Sequence, residues 1–223
     1  MKTFNEIFDK TISRKGNLTA ADLMPSSIKS TEYLKNITSD RYLASMTKAI
    51  FKAGFIWKII EHKWNGFEQA FWNFNVARCS FISPDDFDSL CQDKRIIRNG
   101  MKINTVRINA TMISEIDIKS GAFAKLIAEW PSNDYIGLLY YLNINGSRLG
   151  KQTSQYFLRD IGRDGFIIGR DSVAALISAG VIDKSPTSKS DYQKLQNAFN
   201  QWHDESGLSL AQISRVLAMS CDA

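Results

Sequence analysis

The segment Gly146-Ser147-Arg148-Leu149-Gly150-Lys151-Gln152-Thr153 gathers glycines, two long cations and a hydroxyl between the apolar run Leu138–Leu142 and the cluster Tyr156-Phe157-Leu158. A tight glycine turn between two short helices leaves backbone N–H groups pointing outward at a helix N-terminus, and such groups seat a phosphate. Arg148 and Lys151 add charge, Gly150 permits close approach, and the Thr153 hydroxyl bonds a phosphate oxygen or caps the helix. Contacts of this kind fix a strand without reading its sequence. An ordinary turn between helices uses the same residue types, so the segment alone leaves both readings open.

Other chemistries find little support. Cys79, Cys91 and Cys221 are too few and too far apart for a disulfide framework, an iron–sulfur ligand set or a zinc knuckle. His62 and His203 have no partner at metal-ligand spacing. No metal and no cofactor is expected, and the thiols read as reduced, in a cytoplasmic protein.

These residues need helices to hold them. Tyr42, Met46, Ala49/Ile50 and Ala53 recur at three- and four-residue steps, as do Ile103, Val106, Ala110 and Ile113, which is the period of an amphipathic helix. Ser83-Pro84-Asp85-Asp86 reads as a helix start. Ser190 with Gln193, and Ser209 with Gln212, have capping-box spacing, while Gly121, Gly180 and Gly207 stand where helices should stop. No stretch alternates with β-branched enrichment, so the class is all-α.

The chain has 223 residues, 28 Lys+Arg against 23 Asp+Glu, a formal charge of +5, and 44% apolar positions. That is one globular body with a real core, neither disordered nor a mini-protein. No run approaches the roughly 18 apolar residues of a membrane span, and no secretory signal is seen. Breaks fall at Lys15–Ser30 and Asp183–Ser190. They suggest an N-terminal segment 1–40, a core 41–182 with the hairpin at about 140–162, and C-terminal helices 183–223. All belong to one domain, either undivided or bilobal with a central cleft between a middle lobe and a lobe shared by the two ends.

Several pieces, in order, resemble one family. Leu149-Gly150-x-x-Thr153 between two helices is similar to the helix-hairpin-helix of DNA glycosylases. Ala53-Gly54-Phe55-Ile56-Trp57, Phe67-Glu68-Gln69-Ala70-Phe71, Asp93-Lys94-Arg95-Ile96-Ile97-Arg98-Asn99 with Lys102-Ile103, and Arg170-Asp171-Ser172-Val173 resemble the DNA-3-methyladenine glycosylase I family. The resemblance implies a base-excision repair enzyme that flips an alkylated base from duplex DNA and hydrolyses its N-glycosidic bond. It also implies a helix-hairpin-helix bundle.

Two departures stand out. Ala49 occupies the position of a glutamate that contacts the base in that family, and Ser172 that of a zinc-binding histidine. No structural zinc and a remodelled pocket are therefore expected.

Cleavage builds positive charge on the sugar, which calls for a carboxylate in a dry site. Asp171, at the start of a helix expected over Ser172–Ala179, is the candidate, with helix capping as its ordinary alternative. Trp57 is the stacking candidate, since an indole face attracts a cationic purine. Phe55 and Tyr42 are placed beside it, and the Ala53–Ile56 turn with Gly54 is an insertion loop filling the gap left by the flipped nucleotide.

Lyase-type relatives use a lysine where Gln152 stands here, so a monofunctional glycosylase leaving an abasic site is expected. Arg95, Arg98, Asn99, Lys102 and Arg107 form a basic cluster, of which Arg98 and Lys102 are assigned to DNA. The partner is then double-stranded DNA with alkylated bases, with no membrane, no obligate protein partner and a monomeric state. The alternative is a catalytically inactive helix-hairpin-helix DNA-binding protein, for which Ala49 and Ser172 speak.

Overall fold

The computed structural model describes residues 1–16, 22, 28–120 and 122–221; Gly121 and most of the Lys15–Ser30 break lie outside them. Every regular element among the described residues is a helix. The chain divides into two compact units, 30–130 with 138–161, and 1–29 with 131–137 and 162–223.

The first of these units contains α2 (Thr31–Lys35), α3 (Ser39–Lys52), α4 (Trp57–Ala70), α5 (Val76–Ser80), α6 (Pro84–Gln92), α7 (Gly100–Ser120), α8 (Phe123–Glu129), most of α9 (Tyr135–Asn145) and α10 (Lys151–Asp160). The apolar steps read from the sequence are its core: Tyr42, Met46 and Ile50 on α3, and Ile103, Val106, Ala110 and Ile113 on α7, are buried. Tyr42 meets Phe123 edge-on at 5.4 Å and Phe51 meets Phe67 at 4.7 Å. Each such buried side chain contributes about 1.5–3 kcal/mol, which rigidly fixes α3 and α7 under the surface turns. At the start of α6, Ser83 and Asp86 exchange hydrogen bonds with Pro84 in the first position, as the spacing implies.

The other unit holds α1 (Phe4–Lys15), α11 (Arg170–Ser178), α12 (Lys189–Ser206) and α13 (Leu210–Ser220). Its core is aromatic: Phe166 stacks on Phe199 at 4.0 Å, and buried Trp202 donates its indole N–H to Lys2 O at 3.1 Å. Gly180 and Gly207 take the left-handed conformation after α11 and α12.

One cap differs from the sequence reading. The box at α12 is Ser188 with Asp191, and Ser190 lies inside the helix. Two pairs of the right spacing compete there. The carboxylate prevails because an anion, unlike the glutamine amide, is also drawn by the positive end of the helix dipole. Its bonds from the Ser188 and Thr187 N–H groups hold the Asp191 carboxyl down at about 2. The Ser209–Gln212 box at α13 is found as expected.

Candidate nucleic-acid interface and base cavity

The hairpin is α9, the turn 146–150 and α10. Gly150 caps α10 without a side chain, so the first N–H groups of α10 have no intrahelical acceptor. The turn is tightly determined. A Cβ on Gly146 would lie 2.5 Å from Leu149 Cδ1 and 2.8 Å from Leu142 O. Arg148, exposed, takes φ 56°, a left-handed conformation that is unfavourable without glycine.

A bracket from α7 holds this shape. Asn109, fully buried, accepts from the Ser147 N–H at 2.7 Å and donates to Ser147 O at 3.2 Å. The Lys151 side chain lies outside the described residues.

A second turn, 53–56, joins α3 to α4. Gly54 has φ 78°, and Phe55 N–H donates to Lys52 O. Lys102, expected at DNA phosphates, is instead 6% exposed and closes this turn from inside. Its ammonium donates to Ile50 O at 2.8 Å, to Phe51 O and to Ala53 O, and lies 4.5 Å from the centre of the Phe55 ring. The physical reason is that the last carbonyls of a helix lack partners and carry the negative end of its dipole, which draws a cation. Burial, with Arg148 adding repulsion, pushes the Lys102 ammonium below the usual lysine range.

The rest of the basic cluster is also rearranged. α7 starts at Gly100, so Arg95 and Arg98 sit on the preceding loop. Arg95 is bound to Asp93 at 2.7 Å, while Arg98 is exposed.

Between these turns is a cavity of about 350 Å³. Lys48, Ala49 and Lys52 of α3, with Ala53, Gly54 and Trp57, form one wall; Gln152, Thr153, Tyr156, Arg159 and Asp160 of α10 form the other. Trp57 opens α4, is 48% exposed, and receives Tyr156 edge-on at 5.3 Å. Lys52 Nζ lies 5.3 Å from the centre of the Trp57 ring. Glu61 of α4 bridges Lys48 and Lys52 at 2.8 and 2.6 Å, and the two ammoniums hold its carboxyl below the ordinary range. Asp160 accepts from the Ser45 hydroxyl at 2.7 Å.

The structure thus brings together Trp57, Gly54 and Thr153 of the residues expected to act. Tyr42 is not in the lining: it is fully buried in the core, and its hydroxyl donates to Leu34 O at 2.9 Å. Phe55, 38% exposed, packs under Lys102 rather than into the cavity.

Asp171 belongs to the other unit. It is the second residue of α11, exposed, and its carboxylate makes no hydrogen bond among the described residues. α11 starts two residues earlier than expected because Gly169 supplies the cap. Ser172 is buried and donates to Ile167 O at 2.9 Å. No group of three His, Cys, Asp or Glu among the described residues is placed to hold a metal.

Lys48, Lys52, Tyr156, Arg159 and Asp160 are functional candidates that the sequence reading passed over. Their signal was present: 48, 49, 52 and 53, like 152, 153, 156, 159 and 160, are single helical faces.

The family model described as methyladenine glycosylase matches residues 35–185. The chain belongs to the methyladenine glycosylase family. It is a DNA glycosylase of base-excision repair, an enzyme that hydrolyses N-glycosidic bonds, and its substrate is DNA.

In three dimensions the glycosylase is similar to 3-methyladenine DNA glycosylase I from Staphylococcus aureus, at 19% identity over 59% of this chain and 83% of that one, with a TM-score of 0.51. It is also similar to the 8-oxoguanine glycosylase/lyase of Methanocaldococcus jannaschii, solved with a 15mer DNA containing 8-oxoguanine, at 16% identity over 95% of each chain and a TM-score of 0.54. A third is Tm1821, the 8-oxoguanine DNA glycosylase of Thermotoga maritima, at 13% identity over 96% and 95% with a TM-score of 0.54. At these identities the likeness carries the fold, which is the all-helical bundle of helix-hairpin-helix glycosylases. No curated protein matches the glycosylase in sequence. Among the described residues, no helix is long and apolar enough to cross a membrane.

Proposed function

We propose that the glycosylase grips duplex DNA by its hairpin, extrudes an alkylated base into the Trp57 cavity, and hydrolyses the N-glycosidic bond with Asp171 as the carboxylate that stabilises the cationic sugar. The observation that carries this reading is that Trp57 and Thr153, the stacking and phosphate candidates, line one cavity large enough for a purine. Arg148, Gly150, Lys151 and Thr153 would hold the strand, with Arg98 as a further phosphate contact. Gly54, whose left-handed turn projects between α3 and α4, would sit at the gap left by the base.

In the reaction water adds to C1′ and the bond's electron pair leaves with the base nitrogen; the proton lost by the water ends in solvent where the base was cationic, and on the departing base where it was uncharged. Asp171 fits its role in being a carboxylate without a competing hydrogen bond. No lysine occupies position 152, and Lys48 and Lys52 are engaged in ion pairs with Glu61 at 2.8 and 2.6 Å. The enzyme is accordingly monofunctional, and we assign it a monomeric, cytoplasmic state.

Incubation with alkylated duplex and chromatography of the released bases tests the proposal. Wild type should release base without cutting the strand. Asp171→Asn should abolish release with DNA affinity retained, whereas Asp160→Asn should leave release measurable. Loss in Asp160→Asn with retention in Asp171→Asn would move the carboxylate role to the cavity's own acid.

A further inference from the structure

We propose that Asp160, held by Ser45, reads the extruded base as an adenine by accepting a hydrogen bond from its exocyclic amine. This inference rests on the Trp57 cavity being the base pocket and narrows which base it takes.

Among the described residues, Asp160 is the one acid in the cavity lining. The lysines of the α3 wall have a counter-ion of their own, since Lys48 and Lys52 both end on Glu61 at 2.8 and 2.6 Å. Asp160 itself forms no ion pair among the described residues. One of its carboxylate oxygens accepts from the Ser45 hydroxyl at 2.7 Å, and the other accepts no hydrogen bond among them. An ionised carboxylate only accepts, with room for about four such bonds. The cavity therefore holds a fixed acceptor without its full set of donors.

Helix stability does not explain the residue. Asp160 is the last residue of α10, where the carbonyl end of the helix dipole disfavours a negative charge. Its anchor comes from the other wall: Ser45 is buried one turn before Ala49 on the same face of α3. Ala49 carries only a methyl group, so its side chain offers the open oxygen no competing donor.

The two purines differ at an atom that such an acceptor distinguishes. Adenine carries an amine at C6 and guanine a carbonyl, and an extruded base is read along its Watson–Crick edge. With the ring stacked on Trp57, an amine at the open oxygen of Asp160 is bonded. A carbonyl in the same place sets lone pairs against a carboxylate. Alkylation of a ring nitrogen spreads positive charge onto the amine, which makes its bond to the carboxylate charge-assisted and stronger.

The test is a competition within one tube. A duplex treated with dimethyl sulfate carries N3-methyladenine and N3-methylguanine, which share their charge and their methylated atom and differ at C6 and in the 2-amine of guanine. Single-turnover release of each is followed by chromatography and normalised to its content in the duplex. The rate for N3-methyladenine over that for N3-methylguanine should exceed about ten in wild type, the effect of one hydrogen bond to a charged group. Asp160→Asn, whose amide presents a donor as readily as an acceptor, should lower this ratio about tenfold while release stays measurable. The 2-amine is common to both enzymes, so the change on substitution reports C6. Ser45→Ala keeps the carboxylate but frees it to turn, and should lower the ratio by a smaller factor. A ratio is insensitive to partial loss of folded protein. A ratio unmoved in Asp160→Asn, or a wild type that releases the guanine faster, overturns the assignment of Asp160 and leaves base excision in place. Release of neither base, with DNA still bound, instead overturns the proposed function itself.

Discussion

Replacing Asn109 by alanine removes the contact through which α7 holds both polar groups of Ser147. The side chain is fully buried, and its two hydrogen bonds, at 2.7 and 3.2 Å, end on a half-buried residue of the hairpin turn. An orphaned buried group costs about 1–3 kcal/mol, but Ser147 can recover part of this from water. A total of about 1–2 kcal/mol results, a factor of about 5–30 in the population of the braced turn. Melting should fall by about 2–8 °C for a chain of this size. DNA should bind about 5–30-fold more weakly, because the phosphate seat is then fractionally formed.

Fluorescence anisotropy on a duplex with an abasic-site analogue, repeated across KCl concentrations, separates bracing from direct contact. Asn109→Ala should lower affinity at every salt concentration with an unchanged slope of log K against log[salt]. Arg148→Ala should reduce that slope by about 0.9, one phosphate contact. Full affinity in Asn109→Ala would show that the hairpin needs no bracket. A slope reduced as in Arg148→Ala would show that Asn109 acts on phosphate itself.

Arg148→Gly should have effects of opposite sign, stabilising the fold by about 0.5–1 kcal/mol through relief of its left-handed φ and weakening DNA binding; thermal melting and anisotropy on the same sample check both. Lys102→Met leaves the carbonyls of Ile50, Phe51 and Ala53 without their donor, so amide hydrogen exchange should accelerate at residues 53–56 ahead of the α7 core, and equal protection in both proteins would refute the bracing. Asp191 has a folded-state pKa depressed to about 2 from an ordinary 3.8. Its stabilisation is therefore present above about pH 4 and lost as pH falls toward 2, and urea titrations of wild type and Asp191→Asn should converge over that window.

The helical class, the core faces of α3 and α7 and the hairpin were legible because they rest on local period and turn chemistry. Tyr42 and Lys102 were misplaced for a shared reason. Sequence position puts them near the site, but the face each presents depends on which neighbours lack partners: the Leu34 carbonyl claims the Tyr42 hydroxyl, and the open end of α3 claims the Lys102 ammonium. The cap at Ser188 escaped because two spacings overlap and only the charge of Asp191 ranks them. The lysines of the cavity were hidden differently. Lys48 and Lys52 lie on one face with Ala49, and a cation on a helix face has the same spacing whether it lines a cavity or meets solvent.

The central claim is that an extruded base lies against Trp57 within the walls of α3 and α10. A crystal structure of the glycosylase with a duplex carrying a 2′-fluoro lesion nucleotide, which resists cleavage, tests it directly. The account predicts the base stacked on the indole, strand phosphates at the N–H groups of α10, and the Asp171 carboxylate facing C1′. A base seated elsewhere, or a sugar without that carboxylate beside it, would contradict the account.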